Sequence, residues 1–381
     1  MDALPNEILG EVAYFLSRHD LLTLRFVERR FKDVVTRRAF NRLVTHDSFS
    51  SLLKFYVLVE ECTDNMILDA VETIVFDGKD TDHFEMGADS TIDLIEKSFC
   101  LLYRFPNLTA LSLDFFPESA PDESGVYLTY YVEVQLAFWN SIAQHPLPNL
   151  RSLHIGSMVS YFPRRLDDDA DPFRDLFRPL TSLSLYVVSV FQMRRLPSEI
   201  LDFNYNITRM LQVGTNITSL DLGTSDFLGP SLPFGFEHYT FPALRSLRLH
   251  QIIFPALPED EIPPLDPVIF GQRPTGEVLI LNHRSVLRRL ELCDCVAAAP
   301  DGAWDRVFRR FQHHLTALVE FTWTIKRGHP EQHFLYARAK AQHHTYTLLQ
   351  LDESGPDDPQ DVAALDSLQS AVLLRRNNTS S

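Results

Sequence analysis

The residues with the strongest ligand chemistry are two cysteines and two histidine pairs in the last third of the chain. Cys293 and Cys295 are separated by one residue, and His313-His314 and His343-His344 follow them. A structural zinc site normally shows paired ligands at short, repeated spacing, and that pattern is absent from this sequence. Because both cysteines directly follow an apolar strand pattern, we interpret them as small residues at a strand end. We therefore predict no metal ligands and no cofactor.

Other chemical motifs are weaker still. The aspartates of the run 167–171 could attract a divalent cation, but the run lacks the glycine and the distal glutamate of a calcium loop. The sequence contains neither a phosphate-binding Gly-x-x-x-x-Gly-Lys loop nor the Gly-x-Ser-x-Gly motif of serine hydrolases. We predict that the protein is not an enzyme, and we keep an enzyme with an unrecognised site as the least favoured alternative.

The composition limits the setting in which the chain works. It has 381 residues, 45% of them hydrophobic, and a formal net charge of −16. An acidic chain is poorly suited to sequence-independent nucleic-acid binding, so no nucleic acid is predicted as a partner. Four cysteines are too few for a disulfide scaffold of this length, and no apolar run reaches the roughly 20 residues that span a bilayer. Charges crowd the first 30 residues and argue against a signal peptide, so we expect a cytoplasmic or nuclear protein without a membrane partner.

The amino-terminal segment has the pattern of a small helical module. Apolar residues recur at helical spacing from Leu4 to Leu16, and Asp20 is a suitable N-cap for a second helix. A third amphipathic stretch surrounds Phe31. Three short helices cannot close a large core, so the apolar stripe either packs on the rest of the chain or binds a partner.

The residues themselves favour a partner. Leu4-Pro5-Asn6-Glu7-Ile8-Leu9, then Phe15-Leu16, then the segment from Asp20 to Val27 closely resemble the F-box pattern over residues 3–40. Phe31 stands where that family often has Trp, and Glu28 replaces a small residue.

The resemblance implies a function in ubiquitin conjugation. F-box proteins bind the Skp-type adaptor of SCF cullin-RING ligases and recruit a protein substrate with the rest of the chain. By position, the adaptor-facing residues would be Leu4, Pro5, Ile8, Leu9, Val12, Leu16, Leu21 and Leu24. Three further residues would support that surface from behind: Val27, Phe31 and Val34. An F-box protein that binds the adaptor outside a ligase, as a scaffold, is the alternative.

The remainder of the chain carries a repeated pattern, apolar-x-x-apolar-x-apolar. Its six clear copies begin at Leu108, Leu150, Leu180, Ile217, Leu244 and Leu287. Weaker copies begin at Val71, Leu318 and Tyr346. A proline precedes several copies, as in Pro106-Asn107-Leu108 and Pro148-Asn149-Leu150, and it would end one helix and start an extended segment.

Helical patterns lie between these copies, at 91–105, 132–145, 200–213, 304–315 and 334–343. One strand and one helix per repeat indicate an irregular solenoid with a parallel sheet, which resembles the leucine-rich-repeat arrays that often follow F-boxes. An ordinary α/β domain with parallel strands is the alternative. The predicted fold class is α/β, with a three-helix F-box at 1–45, a bridging helix at 46–62, the substrate-recognition solenoid at 63–356, and a C-terminal cap with a frayed tail at 357–381.

The acidic charge is sorted along the predicted solenoid. Five segments that leave the carboxyl ends of strands, at 77–89, 114–125, 221–237, 250–266 and 352–361, sum to −20, more than the charge of the whole chain. Such segments emerge on one edge of a strand–helix array, so they would form an acidic rim for a basic substrate segment. Glu259, Asp260 and Glu261 are the predicted rim contacts. Loops kept acidic for solubility are the alternative.

Overall fold

The chain folds into two compact units, one spanning Met1–Met158 with Ala170–Pro179 and the other Val159–Asp169 with Leu180–Ser381. The structure is a computed structural model. It describes residues 5–27, 29–78, 88–115, 126–142, 144–159, 172–188, 206–224, 239–255, 276–298, 304–326, 333–343, 346–352 and 358–379.

The first unit begins with three short helices, α1 (Asn6–Tyr14), α2 (Arg18–Val27) and α3 (Arg29–Phe40). Ala13, Leu21, Val35 and Ala39 form their buried core. The N-cap of α2 is Ser17 rather than the predicted Asp20, because the Ser17 hydroxyl accepts from the Asp20 backbone N–H at 3.2 Å and donates to its carboxylate at 2.6 Å. This reciprocal arrangement resembles a capping box, with Asp20 as its third helical residue.

Four parallel strands follow in chain order in the first unit. They are β1 (Arg42–His46), β2 (Thr73–Asp77), β3 (Ala110–Asp114) and β4 (Ser152–Val159). The helices between and after them are α4 (Phe49–Glu61), α5 (Asn65–Ala70), α6 (Ala88–Phe99), α7 (Val126–Ile142) and α8 (Pro172–Phe177). Phe76 of β2 packs against Phe99 of α6 and Phe138 of α7, with ring centroids 6.3 and 4.5 Å apart, so these helices cover the apolar face of the strands.

The second unit repeats the strand–helix theme. Its main parallel strands are β5 (Ser182–Val188), β6 (Ser219–Thr224), β7 (Ser246–His250), β9 (Arg289–Cys293) and β11 (Glu320–Thr324). A smaller sheet has the order β13 (Tyr346–Asp352), β12 (Leu335–His343), β10 (Val296–Ala298) and β8 (Ile253–Pro255). The helices are α9, described over 206–213, α10 (Gly276–Asn282), α11 (Trp304–His314) and α12 (Pro359–Thr379).

The repeated apolar pattern is what sets the register of these strands. The second positions of its copies pair across neighbouring strands, as Ile74, Leu111 and Leu153 do in the first unit. Hydrogen bonds repeat with the same period: the Glu72 carbonyl accepts from two successive N–H groups, those of Thr109 and Ala110, at 2.9 and 3.0 Å. In the second unit, the Arg245 carbonyl likewise accepts from two successive N–H groups, those of Arg288 and Arg289. The α/β fold with strand–helix repeats is therefore the one that the sequence predicts, a solenoid-type architecture.

Three elements differ from the sequence-based expectation. The boundary drawn at residue 45 falls inside β1, which pairs with β2, so the parallel sheet begins before the bridging segment. The predicted helix at 334–343 is wrong: β12 occupies those residues. The pattern copy at Tyr346 forms β13, which pairs with β12 in antiparallel orientation. Pairing with β13 satisfies backbone groups of β12 that would otherwise form hydrogen bonds within a helix.

A search of the described residues finds no helix that is both long and apolar enough to cross a membrane.

Candidate functional site

Exposed apolar side chains are concentrated on the amino-terminal helices. Six large ones within residues 5–27 face solvent: Ile8, Val12, Tyr14, Phe15, Phe26 and Val27. Phe15 and Phe26 are the extreme cases, 82% and 85% exposed. Exposed apolar side chains grouped on one part of a folded protein often mark a site of interaction. We call these six residues the apolar face.

The structure separates the predicted adaptor residues into groups. Pro5, Ile8, Val12 and Val27 are exposed, and Leu16, Leu24 and Val34 are half-buried. Leu9 and Leu21 are buried, so their side chains stabilise the three-helix module instead of presenting a contact surface. Phe31, predicted to lie behind the surface, is also buried, whereas Val27, predicted there too, is exposed. Leu4 and Glu28 lie outside the described residues.

Three exposed aromatics, Tyr14, Phe15 and Phe26, were not in the predicted set. Tyr14 and Phe26 lie near helix ends, and Phe15 directly follows α1. At the end of a helix, helical periodicity no longer predicts whether a side chain is buried or exposed. Phe15 and Phe26 belong to the segments that resemble the F-box, so the resemblance could have pointed to them.

Arginines of the module fix the helices that carry this face. Arg30 of α3 donates to the Asn6 side chain at the start of α1, at 2.8 Å. Arg38 donates to the Tyr14 carbonyl at the end of α1, and its guanidinium lies 4.3 Å from the centre of the Tyr14 ring. Both ends of α1 are therefore attached to α3, which holds Ile8 and Val12 in a fixed orientation.

The module is also tied to the first helix–strand repeat. Arg25 and Lys32 both contact the Asp64 carboxylate, at 2.8 and 2.9 Å, directly before α5. The hydrogen bond from Lys32, together with the positive charges of Lys32 and Arg25, lowers the pKa of Asp64. Asp64 also caps α5 by accepting from the Met66 N–H at 3.1 Å. One carboxylate thus couples the orientation of α2 and α3 to that of α5.

A polar groove of about 680 Å³ lies near these contacts, where α3 and α5 meet the loops that precede the strands. Its polar groups already serve the repeat architecture. Arg37 pairs with Glu72 at 2.7 Å, Asn107 donates to the Asp69 carbonyl at 2.7 Å, and Asn149 donates to the Pro106 carbonyl at 2.8 Å. The asparagine of each Pro-Asn-Leu sequence therefore binds the backbone of the preceding repeat, so the groove is built from structural contacts.

The second unit presents a polar face on its main sheet. Alternate strand residues point away from the leucine core, and Arg248 at the centre pairs with Glu291 at 2.8 Å and Asp221 at 3.7 Å. Arg289 pairs with Glu320 at 3.5 Å. We call this side of the main sheet the polar face.

The two cysteines of the Cys-x-Cys sequence have different surroundings in the second unit. Cys295 is completely buried, donates to the Leu249 carbonyl at 3.4 Å, and has a pKa raised by burial to about 12. Cys293 lies on β9 beside His250 of β7, its partner in the strand register. His313 and His314 are at the end of α11, and no metal-ligating cluster among the described residues includes them. The predicted rim residues Glu259, Asp260 and Glu261 lie outside the described residues.

These features define a class of protein: an α/β chain of strand–helix repeats with a small helical module at its amino end and an exposed apolar face on that module. No family model matches the sequence, and no curated protein matches it. Among solved structures, the chain is similar to a chain in the crystal structure of the yeast Rad7 and Elc1 complex. The two are 11% identical with a TM-score of 0.27, over 87% of this chain and 91% of that one.

Proposed function

We propose that this protein is the substrate-recognition subunit of an SCF-type cullin-RING ubiquitin ligase. Residues 5–40 bind a Skp-type adaptor and through it the cullin, and the strand–helix array binds a protein substrate. The observation that carries the proposal is the coincidence of two features in one segment. The sequence that resembles an F-box is also the segment that presents the apolar face.

The chemistry of the apolar face supports a helical, apolar partner. Ile8 and Val12 are four residues apart on α1, so they lie on one side of that helix. Burial of apolar side chains drives this kind of helix-in-groove association, and aromatic residues such as Phe15 and Phe26 are typical anchors. A core of only a few buried residues leaves the module dependent on contacts outside itself.

The array supplies the surface for a substrate and no chemistry of its own. The polar face is lined with ion pairs that a charged substrate segment can exchange for intermolecular ones. In this proposal the ubiquitin transfer is performed by a partner enzyme, and the chain is not itself an enzyme. The protein works in the cytoplasm or the nucleus, where such ligases act.

The test is capture of a purified Skp-type adaptor by the full-length chain carrying Ile8→Ser and Val12→Ser. Both side chains are exposed, so the substitutions leave the module core in place, whereas the buried Leu9 would confound binding with folding. Truncation of interface hot spots costs about 2 kcal/mol or more, which corresponds to about 30-fold in Kd. We expect at least that loss by isothermal titration calorimetry.

The matched control is Leu373→Ser with Leu374→Ser, two exposed leucines of α12. It should bind the adaptor like the unmodified chain. Equal adaptor affinity for the α1 variant and the unmodified chain would contradict the proposal. Capture of adaptor together with cullin supports a ligase subunit, and capture of adaptor alone supports the scaffold alternative.

A further inference from the structure

Three metal-ligating side chains converge at the carboxyl ends of β7 and β9. His250, Cys293 and Asp294 each offer one ligand atom, and these atoms all lie within 4.8 Å of one another. No local sequence pattern predicts this cluster, because His250 and Cys293 are 43 positions apart and become neighbours only through the register of the parallel strands.

Two of the three separations match those of ligands that share one ion. Asp294 Oδ2 lies 3.6 Å from His250 Nε2 and 3.8 Å from Cys293 Sγ. A nitrogen–oxygen distance of 3.6 Å exceeds that of a normal hydrogen bond. Ligands bound tetrahedrally at the zinc bond lengths of about 2.0–2.3 Å stand roughly 3.3–3.8 Å from one another.

Two residues at the cluster have a left-handed backbone conformation. Asp294 has φ +49°, and Gln251, which follows His250, has φ +58°. Non-glycine residues adopt this left-handed region at a cost of about 1–3 kcal/mol, and such strain is often found at functional sites. The Lys326 N–H donates to Asp294 Oδ1 at 2.5 Å, which leaves Oδ2 directed at the cluster.

We propose that His250 Nε2, Cys293 Sγ and Asp294 Oδ2 bind one zinc-class divalent ion on the polar face. An imidazole, a thiolate and a carboxylate are the three ligand types that zinc takes in proteins. The incoming ion replaces the thiol proton of Cys293, which is released to solvent. Three protein ligands leave the fourth tetrahedral position open.

The open position is accessible from the polar face. Asp294 and Cys293 are buried, whereas the His250 side chain is 23% exposed. Gly223 lies between Tyr186 and His250, and a side chain there would come within 2.5 Å of the Tyr186 ring and 3.2 Å of His250 Cβ. The glycine therefore allows the Tyr186 ring to pack close to His250. In this proposal a water molecule or a side chain of a bound protein takes the fourth position, reached from the exposed part of His250. This site lies in the second unit and does not depend on adaptor binding.

The test is titration of the full-length, tag-free, reduced chain with Co²⁺ under anaerobic conditions. A thiolate ligand gives a charge-transfer band in the near ultraviolet, and tetrahedral cobalt gives absorption in the visible. We expect both signals with a 1:1 endpoint, and we expect added Zn²⁺ to remove them. Without a thiolate band in the unmodified chain, the proposal fails.

Variants locate the site. Removing a residue that only hydrogen-bonds to a metal ligand typically lowers metal affinity about 10–100-fold. His250→Ala and Cys293→Ser remove the ligands themselves, so each should lower the affinity for Co²⁺ about 100-fold or more. Asp294→Asn should bind more weakly but keep the thiolate band. Cys100→Ser, at a free cysteine of the first unit, is the matched control and should bind normally. Circular dichroism checks folding; if Cys293→Ser does not fold, His250→Ala decides. Normal affinity in His250→Ala, or loss of the band in Cys100→Ser, would overturn the assignment.

Discussion

His283 shows at the residue scale how the second unit holds a buried polar group. Its Nε2 accepts from the Phe241 N–H at 2.8 Å, so the proton must be on Nδ1, which lies 2.7 Å from the Leu279 carbonyl. Burial lowers the pKa of His283, and the hydrogen bond to Leu279 opposes this only in part. The neutral ring satisfies both backbone groups, whereas the imidazolium cannot accept from Phe241.

A pH dependence follows from that arrangement. The pKa of His283 is lower in the folded than in the unfolded chain, where it is about 6.5. Its contribution to stability is therefore complete above about pH 6.5 and is lost as the pH falls toward the folded value. We expect His283→Gln to be less stable than the unmodified chain at pH 7.5 and the difference to narrow at pH 5.5, measured by urea unfolding. His19→Gln, at an exposed histidine of α2, is the control, and a difference independent of pH would contradict this role.

The ion pair between Glu277 and Arg310 allows a second residue-scale prediction. Glu277 of α10 is completely buried and accepts two hydrogen bonds from Arg310 of α11, at 2.5 and 3.0 Å. Burial raises the pKa of Glu277, and the guanidinium opposes that rise. Arg310→Met should destabilise the protein by about 3–5 kcal/mol, because it leaves a buried carboxylate without its cation.

Two comparisons test this explanation by chemical denaturation. Lys97→Met removes an exposed i,i+4 pair with Asp93, and such surface pairs contribute only about 0–1 kcal/mol. The double variant Glu277→Leu with Arg310→Met removes both charges and should recover most of the lost stability. If Arg310→Met costs no more than Lys97→Met, the buried pair is not what stabilises this region.

Sequence patterns identify side chains well where their role is local and poorly where it depends on distant neighbours. The leucines of the repeats were assigned to the core, and Leu111, Leu153, Leu220 and Leu247 are buried. The cluster of His250 with Cys293 could not be foreseen, because it depends on a strand register that no local pattern specifies. Leu9 likewise belongs to the apolar stripe of α1, but only the packing of the three helices decides which residues of that stripe are buried.

At the scale of elements, α12 stabilises α11 at both of its ends. Asp361 accepts from the Asp305 N–H at 2.6 Å in the first turn of α11, and Arg375 donates to the Leu315 and Gln312 carbonyls at 2.9 and 2.6 Å near its last turn. An acid at the amino end and a base at the carboxyl end both complement the helix dipole. Between them, Leu368 and Val372 of α12 are buried.

Removing the Asp361 cap tests this arrangement. Asp361→Ala leaves the Asp305 N–H without its acceptor and also removes the acceptor of the Tyr336 hydroxyl, so we expect a loss of about 1–3 kcal/mol in the free energy of unfolding. Asp366→Ala, at an exposed position of the same helix, should change stability by less than about 0.5 kcal/mol. Equal thermal unfolding of the two variants would show that α12 does not cap α11.

Helices with long apolar stripes were predictable, and strands formed by tertiary pairing were not. The helical pattern at 304–315 corresponds to α11, and the C-terminal cap expected within 357–381 corresponds to α12. Residues 334–343 contain alanine, arginine and lysine, which favour helices, yet they form β12 because β13 and β10 pair with it. Tertiary hydrogen bonding thus overrides a helix propensity of a few tenths of a kcal/mol per residue.

At the scale of the whole molecule, the acidic charge is sorted along the sequence. Four of the five acidic segments follow parallel strands, and the fifth follows β13, which is antiparallel to β12. The five acidic segments carry −20 in a chain whose net charge is −16, and the rest of the protein is therefore slightly basic. We expect these segments to attract Lys- or Arg-rich partners and to act mainly on the rate of association.

Charge reversal in the proline-rich insert tests the rim. Glu259→Lys, Asp260→Lys and Glu261→Lys together should slow association with a basic substrate segment at low salt, measured by stopped-flow fluorescence. The difference should shrink as salt rises, because charges are screened beyond about 8 Å at physiological ionic strength. Glu61→Lys, Glu133→Lys and Asp366→Lys form the matched control, since these exposed helical residues give the same change in net charge away from the predicted rim. If both triple variants slow association equally, net charge alone steers the partner and the insert has no special role.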